Sequence, residues 1–174
     1  MAQRIMPTGL ERHFDPGEML VSKTDMKGRI TYCNQLFRTI AGYSNKELLG
    51  QPHSCVRHPD MPRAVFKHLW AALEARREVF AYVKNMASNG DHYWVFAHVT
   101  PSLNGSGQVI GYHSARRAPE RSILSDVIEP LYRDLRAIEN GEDNRKVGLQ
   151  KSTNRLADIL EEKRTTYDQF ILTL

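Results

Sequence analysis

The side chains best suited to hold a ligand lie in and beside a turn that contains two prolines. Arg57 carries a permanently charged, planar guanidinium group whose N–H donors match the geometry of a phosphate. His58 follows it, and because imidazole titrates near neutral pH, His58 could respond to a change of charge on a ligand. The alternative is structural: Arg57 pairs with Asp60 at the surface, and Asp60 caps the helix after Pro62.

Two asparagines and two aromatic residues offer further binding groups. Asn34 and Asn85 each present a donor and an acceptor, which suits the edge of a ring system. Asn85 falls inside a predicted strand, where asparagine is disfavoured, and this favours an inward-facing role. Asn34 could equally be only a helix cap. Phe66 and Trp70 could stack on a ring, although aromatic residues at helical spacing are usually core.

The sequence lacks the patterns typical of catalytic and metal sites. It has no nucleophile elbow, phosphate-binding loop, kinase signature or acid–base pair, so we expect no enzyme. Cys33 and Cys55 lack the spacing of a zinc site or a disulfide framework. Haem is an alternative raised by five histidines with no evident pairing: His53, His68, His92, His98 and His113.

Length and composition predict one soluble domain with appended helices. The chain has 174 residues, 41% apolar and 25% charged, with a net charge of +4. No block of like charge suggests nucleic-acid binding. No apolar run reaches the roughly 18–20 residues that span a bilayer, and no signal peptide precedes the domain. We therefore expect a cytoplasmic protein without membrane insertion.

Strand and turn patterns predict an α+β fold. After an N-terminal arm over 1–18, strands at 19–24 and 29–33 form a hairpin with Gly28 in the turn. Several short helices follow, with caps at Asn34 and at the Ser44–Glu47 capping box. Three further strands at 79–86, 92–101 and 109–116 complete a five-stranded antiparallel sheet with helices on one face.

The segment 119–174 reads as a helical extension for dimerisation or output. Apolar residues recur every three or four positions, and Pro130 should kink or split the first helix. A last helix is predicted from about Lys146, with Lys163 interrupting its apolar stripe. The stripe needs a partner, either the domain's own sheet or a second copy, and we expect a homodimer.

Several motifs, in order and spacing, resemble the PAS domain of the aerotaxis receptor family over roughly 19–117. In that family the domain binds FAD non-covalently and reports redox or oxygen state to a chemotaxis signalling module. The resemblance rests on Gly42-Tyr43-Ser44, Glu47-Leu48-Leu49-Gly50, Val56-Arg57-His58-Pro59-Asp60-Met61-Pro62, Val83-Lys84-Asn85 and Asn89-Gly90-Asp91-His92-Tyr93-Trp94-Val95.

The resemblance implies a PAS sensory domain over 19–118 and a signalling protein as partner. One departure is Val79-Phe80-Ala81, where the family usually has Trp-x-Gly, and added bulk there could occlude the cavity. The alternatives are a cofactor-free interaction module and a haem or small-metabolite sensor. The cofactor-binding residues that the resemblance implies are Asn34, Arg57, His58, Asp60, Phe66, Trp70 and Asn85.

Overall fold

The computed structural model describes residues 5–174 and confirms the predicted α+β fold; positions 1–4 of the predicted arm lie outside the described residues. Five antiparallel strands form one sheet in the order β2-β1-β5-β4-β3. Every neighbouring pair is antiparallel, as expected for a sheet built from hairpins and a returning edge. The strands are β1 Leu20–Thr24, β2 Ile30–Cys33, β3 Val79–Met86, β4 His92–Leu103 and β5 Val109–Arg117.

Three helices and a single 3₁₀ turn connect β2 to β3. The Asn34 side chain accepts from the Phe37 N–H at the start of the first helix, and Gly42 ends that helix at φ 70°. Ser44 and Glu47 form the predicted capping box of the second. These elements are α1 Gln35–Ala41, α2 Asn45–Leu48, the 3₁₀ turn His53–Val56 and α3 Arg63–Glu74.

The chain leaves β5 into four further helical segments. Pro130 lies at the start of an α-helix, but the backbone before it is also helical. A π-helical stretch, Leu124–Ile128, precedes it, and the helical path continues unbroken from Arg121 to Asn140, so a split into two separate helices is not formed. The segments are α4 Arg121–Ile123, α5 Glu129–Asn140, α6 Arg145–Glu162 and α7 Tyr167–Leu172.

The predicted last helix is in fact two helices. Arg164 adopts φ 51°, which breaks the helical path, and Thr166 caps α7 with Gln169 in a second capping box. The turn lets α7 fold back, so that the Tyr167 ring packs 4.2 Å from the His68 ring of α3. The expectation of one long helix is therefore wrong, and a long coiled coil is not formed.

The apolar stripe of the extension is covered by the domain's own sheet and helices. Leu124, Ile128 and Leu135 are fully buried in the same core cluster as the sheet. The Tyr132 hydroxyl donates to the Tyr82 carbonyl of β3 at 2.6 Å. Of the two partners considered for this stripe, the domain's own core covers Leu124, Ile128 and Leu135, and the homodimer stays a prediction. Within 5–174, every helix is too short or too polar to cross a bilayer.

Candidate ligand-binding site

A cavity of about 320 Å³ lies between α3 and one face of the sheet. This volume is at the small end of the ~300–1,000 Å³ range of ligand pockets, so it suits a ring system better than a whole dinucleotide. Side chains alternate across a strand, so one set of positions on β1, β3, β4 and β5 faces the cavity. These strand residues are Ser22, Thr24, Val83, Asn85, Ala97, Val99, Tyr112, Ser114 and Arg116.

The loop that carries Arg57 is attached to β3. A backbone bridge joins Arg57 to Asn85, and the His58 N–H donates to the Lys84 carbonyl at 3.3 Å. Both Arg57 and Asn85 line the cavity, and Asn85 is only 4% exposed. The structure therefore brings together two of the polar residues expected at the site.

Aromatic side chains form the wall opposite the sheet. On α3, Phe66 and Trp70 are one turn apart and both line the cavity. The Arg57 guanidinium lies 3.3 Å from the centroid of the Phe66 ring, a cation–π contact. Trp70 is 37% exposed and meets Tyr112 edge-on at 5.4 Å, so it lies at the mouth of the cavity, beside the exposed Lys27.

A buried basic cluster forms the deep end. The Arg116 Nη2 group donates to the Ser22 hydroxyl and, at 2.7 Å, to the His53 Nε2 atom. Burial, and after it the charge on Arg116, lowers the pKa of His53 to about 3, so this ring is neutral. Burial also lowers the pKa of Arg116, to about 10, and its guanidinium remains charged at neutral pH.

Several buried polar atoms at the cavity have no hydrogen-bond partner among the described residues. They are Arg57 Nε, Ser114 Oγ and Arg116 Nη1. The cavity lining includes three cationic side chains, with Lys27 the third, and no aspartate or glutamate. A ligand with acceptor atoms and negative charge would complement this lining.

Three residues expected at the site do not line this cavity. Asn34 uses its Oδ1 on the Val21 and Phe37 N–H groups and its Nδ2 on the Met19 carbonyl. Its amide is therefore committed to holding β1 against the start of α1, which is the helix-cap alternative.

His58 and Asp60 turn away from the cavity because the turn sends successive side chains to opposite sides. The His58 Nδ1 atom accepts from the Asp60 N–H at 3.1 Å, and Asp60 pairs with Lys84 at 2.8 Å. Burial, and then the charge on Lys84, lowers the pKa of His58 to about 4. Asp60 therefore neither pairs with Arg57 nor caps α3.

The α3 cap comes from the C-terminal extension. The Glu139 carboxylate of α5 accepts from the Arg63 and Ala64 N–H groups, each at 3.0 Å. Glu139 is 3% exposed and also bonds the Ser152 hydroxyl of α6 at 3.0 Å. This single side chain links α5 and α6 to the helix that supplies Phe66 and Trp70.

Sequence reasoning missed Arg116 and Ser22, and it raised His53 only as one of five candidate haem histidines. The available signal was the alternation of β5, which puts Arg116 on the same face as Ser114. Phe80, in the Val79-Phe80-Ala81 departure, lies on the opposite face and stacks on His98 at 4.3 Å. Val79 and Ala81, which replace the family's tryptophan and glycine, do not line the cavity either, so the departure does not fill it.

Comparisons with known proteins agree with this architecture. A profile described as the PAS fold matches residues 30–116. The aerotaxis receptor of Escherichia coli (strain K12) is 44% identical over 119 residues, 68% of this chain and 23% of the receptor. The nitrogen fixation regulatory protein of Klebsiella pneumoniae is 30% identical over 103 residues, 59% of this chain and 21% of that protein. The chain thus corresponds to about a quarter of these relatives or less.

Solved structures show the same fold at lower identity. A light-oxygen-voltage domain studied with a flavin analogue has a TM-score of 0.57 at 18% identity, covering 64% of this chain and 84% of its own. The dark structure of the blue-light photoreceptor Aureochrome1 LOV has a TM-score of 0.55 at 20% identity, and the match covers 64% of this chain and 82% of the photoreceptor chain. The named relatives are a receptor and a regulatory protein, in agreement with a sensory domain rather than an enzyme. The chain belongs to the PAS family, and over 119 residues it is similar to the aerotaxis receptor.

Proposed function

We propose that this PAS domain is a cytoplasmic sensor that binds FAD non-covalently and reports redox or oxygen state to a signalling partner. The observation that carries the proposal is the cavity itself, which combines an aromatic wall with unpartnered buried polar atoms and uncompensated positive charge. A planar ring that accepts hydrogen bonds and carries negative groups has the matching chemistry. The resemblance to the aerotaxis receptor family adds the identity of the flavin.

In this proposal, different cavity residues bind different parts of the flavin. Phe66 and Trp70 would stack on or border the ring, and Asn85 would pair with its edge. Since the cavity is too small for a whole dinucleotide, the phosphates would lie nearer the mouth, within reach of Arg57 and Lys27. A bound flavin would supply a group that takes up electrons and, with them, negative charge.

The route to a partner runs through the terminal helices. β5 carries Arg116 at the cavity and leads directly to α4. α5 is tied to α3 through Glu139, and α3 forms the aromatic wall. A change of charge in the cavity therefore acts on two elements that contact the extension, and a few kcal/mol is enough to bias a two-state element.

Two observations favour a flavin over haem and over a filled pocket. A haem ligand needs a free imidazole nitrogen, but the Nε2 atom of His53, the one histidine that lines the cavity, accepts from Arg116. A cofactor-free interaction module has a pocket that is either empty or filled by side chains, and the open 320 Å³ argues only against the filled form.

The visible spectrum of the purified protein tests the proposal. We expect a yellow protein with a flavin spectrum that bleaches on mild reduction, or a colourless one that takes up added FAD. A protein that binds no FAD under either condition would rule out the proposed cofactor.

Arg57→Gln is expected to weaken FAD binding by about 10- to 100-fold, because a charge-assisted hydrogen bond contributes about 1.5–3 kcal/mol. The dissociation constant can be measured by quenching of flavin fluorescence. Arg77→Gln is the matched control, since Arg77 is exposed just beyond α3 and does not line the cavity. Equal affinities of the two variants would remove Arg57 from the site.

A further inference from the structure

The deep end of the cavity contains a charge that no protein group neutralises. Arg116 is 3% exposed, and no carboxylate within 5–174 lies within 4.0 Å of its guanidinium. Its Nη2 atom is held by two neutral acceptors, Ser22 and His53. A buried arginine that lacks an acidic partner is strongly disfavoured unless something else supplies the negative charge.

The hydrogen bonds of the cluster use only one end of the guanidinium. Nη1 is fully buried and has no partner, and the neighbouring Ser114 hydroxyl is also without one. Both residues line the cavity. On its other side, Arg116 is backed by the Phe37 ring, with 5.0 Å from Cζ to the ring centroid. Arg116 and Ser114 therefore line the same cavity, and each carries one polar atom without a partner.

The position of this donor distinguishes the two ends of a ligand. Lys27 is exposed and Arg57 is half-buried, whereas Arg116 is 3% exposed. In the proposed arrangement the phosphates lie toward Arg57 and Lys27, and the ring lies toward Arg116. Charge on that ring interacts with Arg116 in a medium of low effective dielectric, where the interaction is strong.

We propose that Arg116, positioned by Ser22 and His53, is an anion-binding residue that stabilises the negative charge its ligand gains on reduction. This inference rests on the proposed flavin for its redox consequence, but the anion site itself does not. Positive charge beside the ring of a redox cofactor favours the reduced form, so Arg116 raises the midpoint potential. The sensor's operating range is then determined by a residue outside the set that the family resemblance implies.

The first experiment measures the midpoint potential of the flavin-loaded protein by spectroelectrochemistry. Arg116→Gln is expected to change the ratio of affinities for the reduced and oxidised forms by tenfold or more, which lowers the potential by about 30 mV or more for a two-electron couple. Arg116→Lys keeps the charge and should retain most of the potential. Arg117→Gln is the matched control, since Arg117 is the next residue on β5 and is exposed on the opposite face.

A second variant covers the case in which Arg116→Gln does not fold. Ser22→Asp puts a carboxylate beside the intact arginine and neutralises it internally, so it should lower the potential in the same direction. Unchanged potentials in Arg116→Gln or Ser22→Asp would overturn the proposal. So would a result in which Arg116→Gln weakens FAD binding more than riboflavin binding at constant potential, because that would put the phosphates at Arg116.

The anion site can also be tested without flavin. If the wild-type protein takes up no flavin, the proposed function fails, but sodium nitrate remains a probe of Arg116. At constant ionic strength, nitrate is expected to raise the melting temperature of the wild type and of Arg117→Gln by about 2 °C or more. Arg116→Gln should not respond. Equal responses of all three proteins would reject the anion site independently of the flavin.

Discussion

Replacing Glu139 by glutamine is expected to lower the free energy of unfolding by about 3 kcal/mol. One carboxylate oxygen accepts from the Arg63 N–H and its Nε, and the other from Ala64 and Ser152. A glutamine NH₂ group can accept none of these bonds, so buried donors at the start of α3 lose their partner. Urea unfolding followed by circular dichroism measures the change.

The control is Glu161→Gln, an exposed glutamate of α6, which should stay within about 0.5 kcal/mol of the wild type. A Glu139→Gln protein as stable as this control would show that the carboxylate does not hold the extension against α3. Loss of the cap should also loosen α3, and with it the aromatic wall of the cavity.

The Glu139 contribution should depend on pH in a defined direction. Burial by itself raises the pKa of Glu139, but hydrogen bonds from the Arg63 and Ala64 N–H groups, the Arg63 side chain and Ser152 lower it more. The pKa in the folded state is therefore below that in the unfolded chain, which is about 4.3 for glutamate. The stabilisation is present above that unfolded value and is lost as the pH falls through the folded pKa.

The stability difference between wild type and Glu139→Gln should accordingly be full at neutral pH and narrow below about pH 4. Equilibrium unfolding at several pH values measures it. If the difference in unfolding free energy between the two proteins stayed constant down to pH 3, the Glu139 carboxylate would not be the group that gives the stabilisation.

Gly111→Ala is expected to destabilise the domain by about 3 kcal/mol, the upper part of the range for overpacking. A Cβ at position 111 would overlap the Thr24 carbonyl oxygen of β1, and backbone cannot move aside as a flexible side chain can. Separation of β1 from β5 would also displace Thr24 and Tyr112, which line the cavity. We therefore expect weaker FAD binding as well as a lower urea midpoint.

Gly105→Ala is the matched control for this substitution. Gly105 lies in the β4–β5 turn, and a Cβ there has no atom within 4 Å. It should leave both stability and FAD binding nearly unchanged. If Gly111→Ala changed stability and FAD binding as little as Gly105→Ala, then β1 and β5 would not approach each other closely at position 111.

Local patterns in the sequence predicted the fold well because they depend on near neighbours. The β-branched alternation, the Gly28 and Asn89-Gly90 turns and the caps at Asn34 and Ser44 each act within a few residues. Such features need no tertiary partner, and each is present in the structure. The helix break at 163–166 was only hinted at, because a single lysine in an apolar stripe does not specify a left-handed residue.

The site was predicted less completely, because a motif gives residue types but not directions. Arg57 and Asp60 are three residues apart, yet Arg57 faces the cavity and Asp60 faces Lys84 on the other side of β3. For Asn34 the sequence left two roles open, and the neighbouring backbone of β1 takes up its amide.

By itself, the sequence determined the sheet, the short helices, the PAS family and the presence of Arg57, Asn85, Phe66 and Trp70 at one site. Only the tertiary structure decided that Glu139 caps a helix 76 positions away and that Arg116 meets Ser22 and His53 at the bottom of the cavity. The physical reason is that these contacts join segments distant in the chain. Whether a buried charge is satisfied depends on every element packed around it, and no local pattern records that.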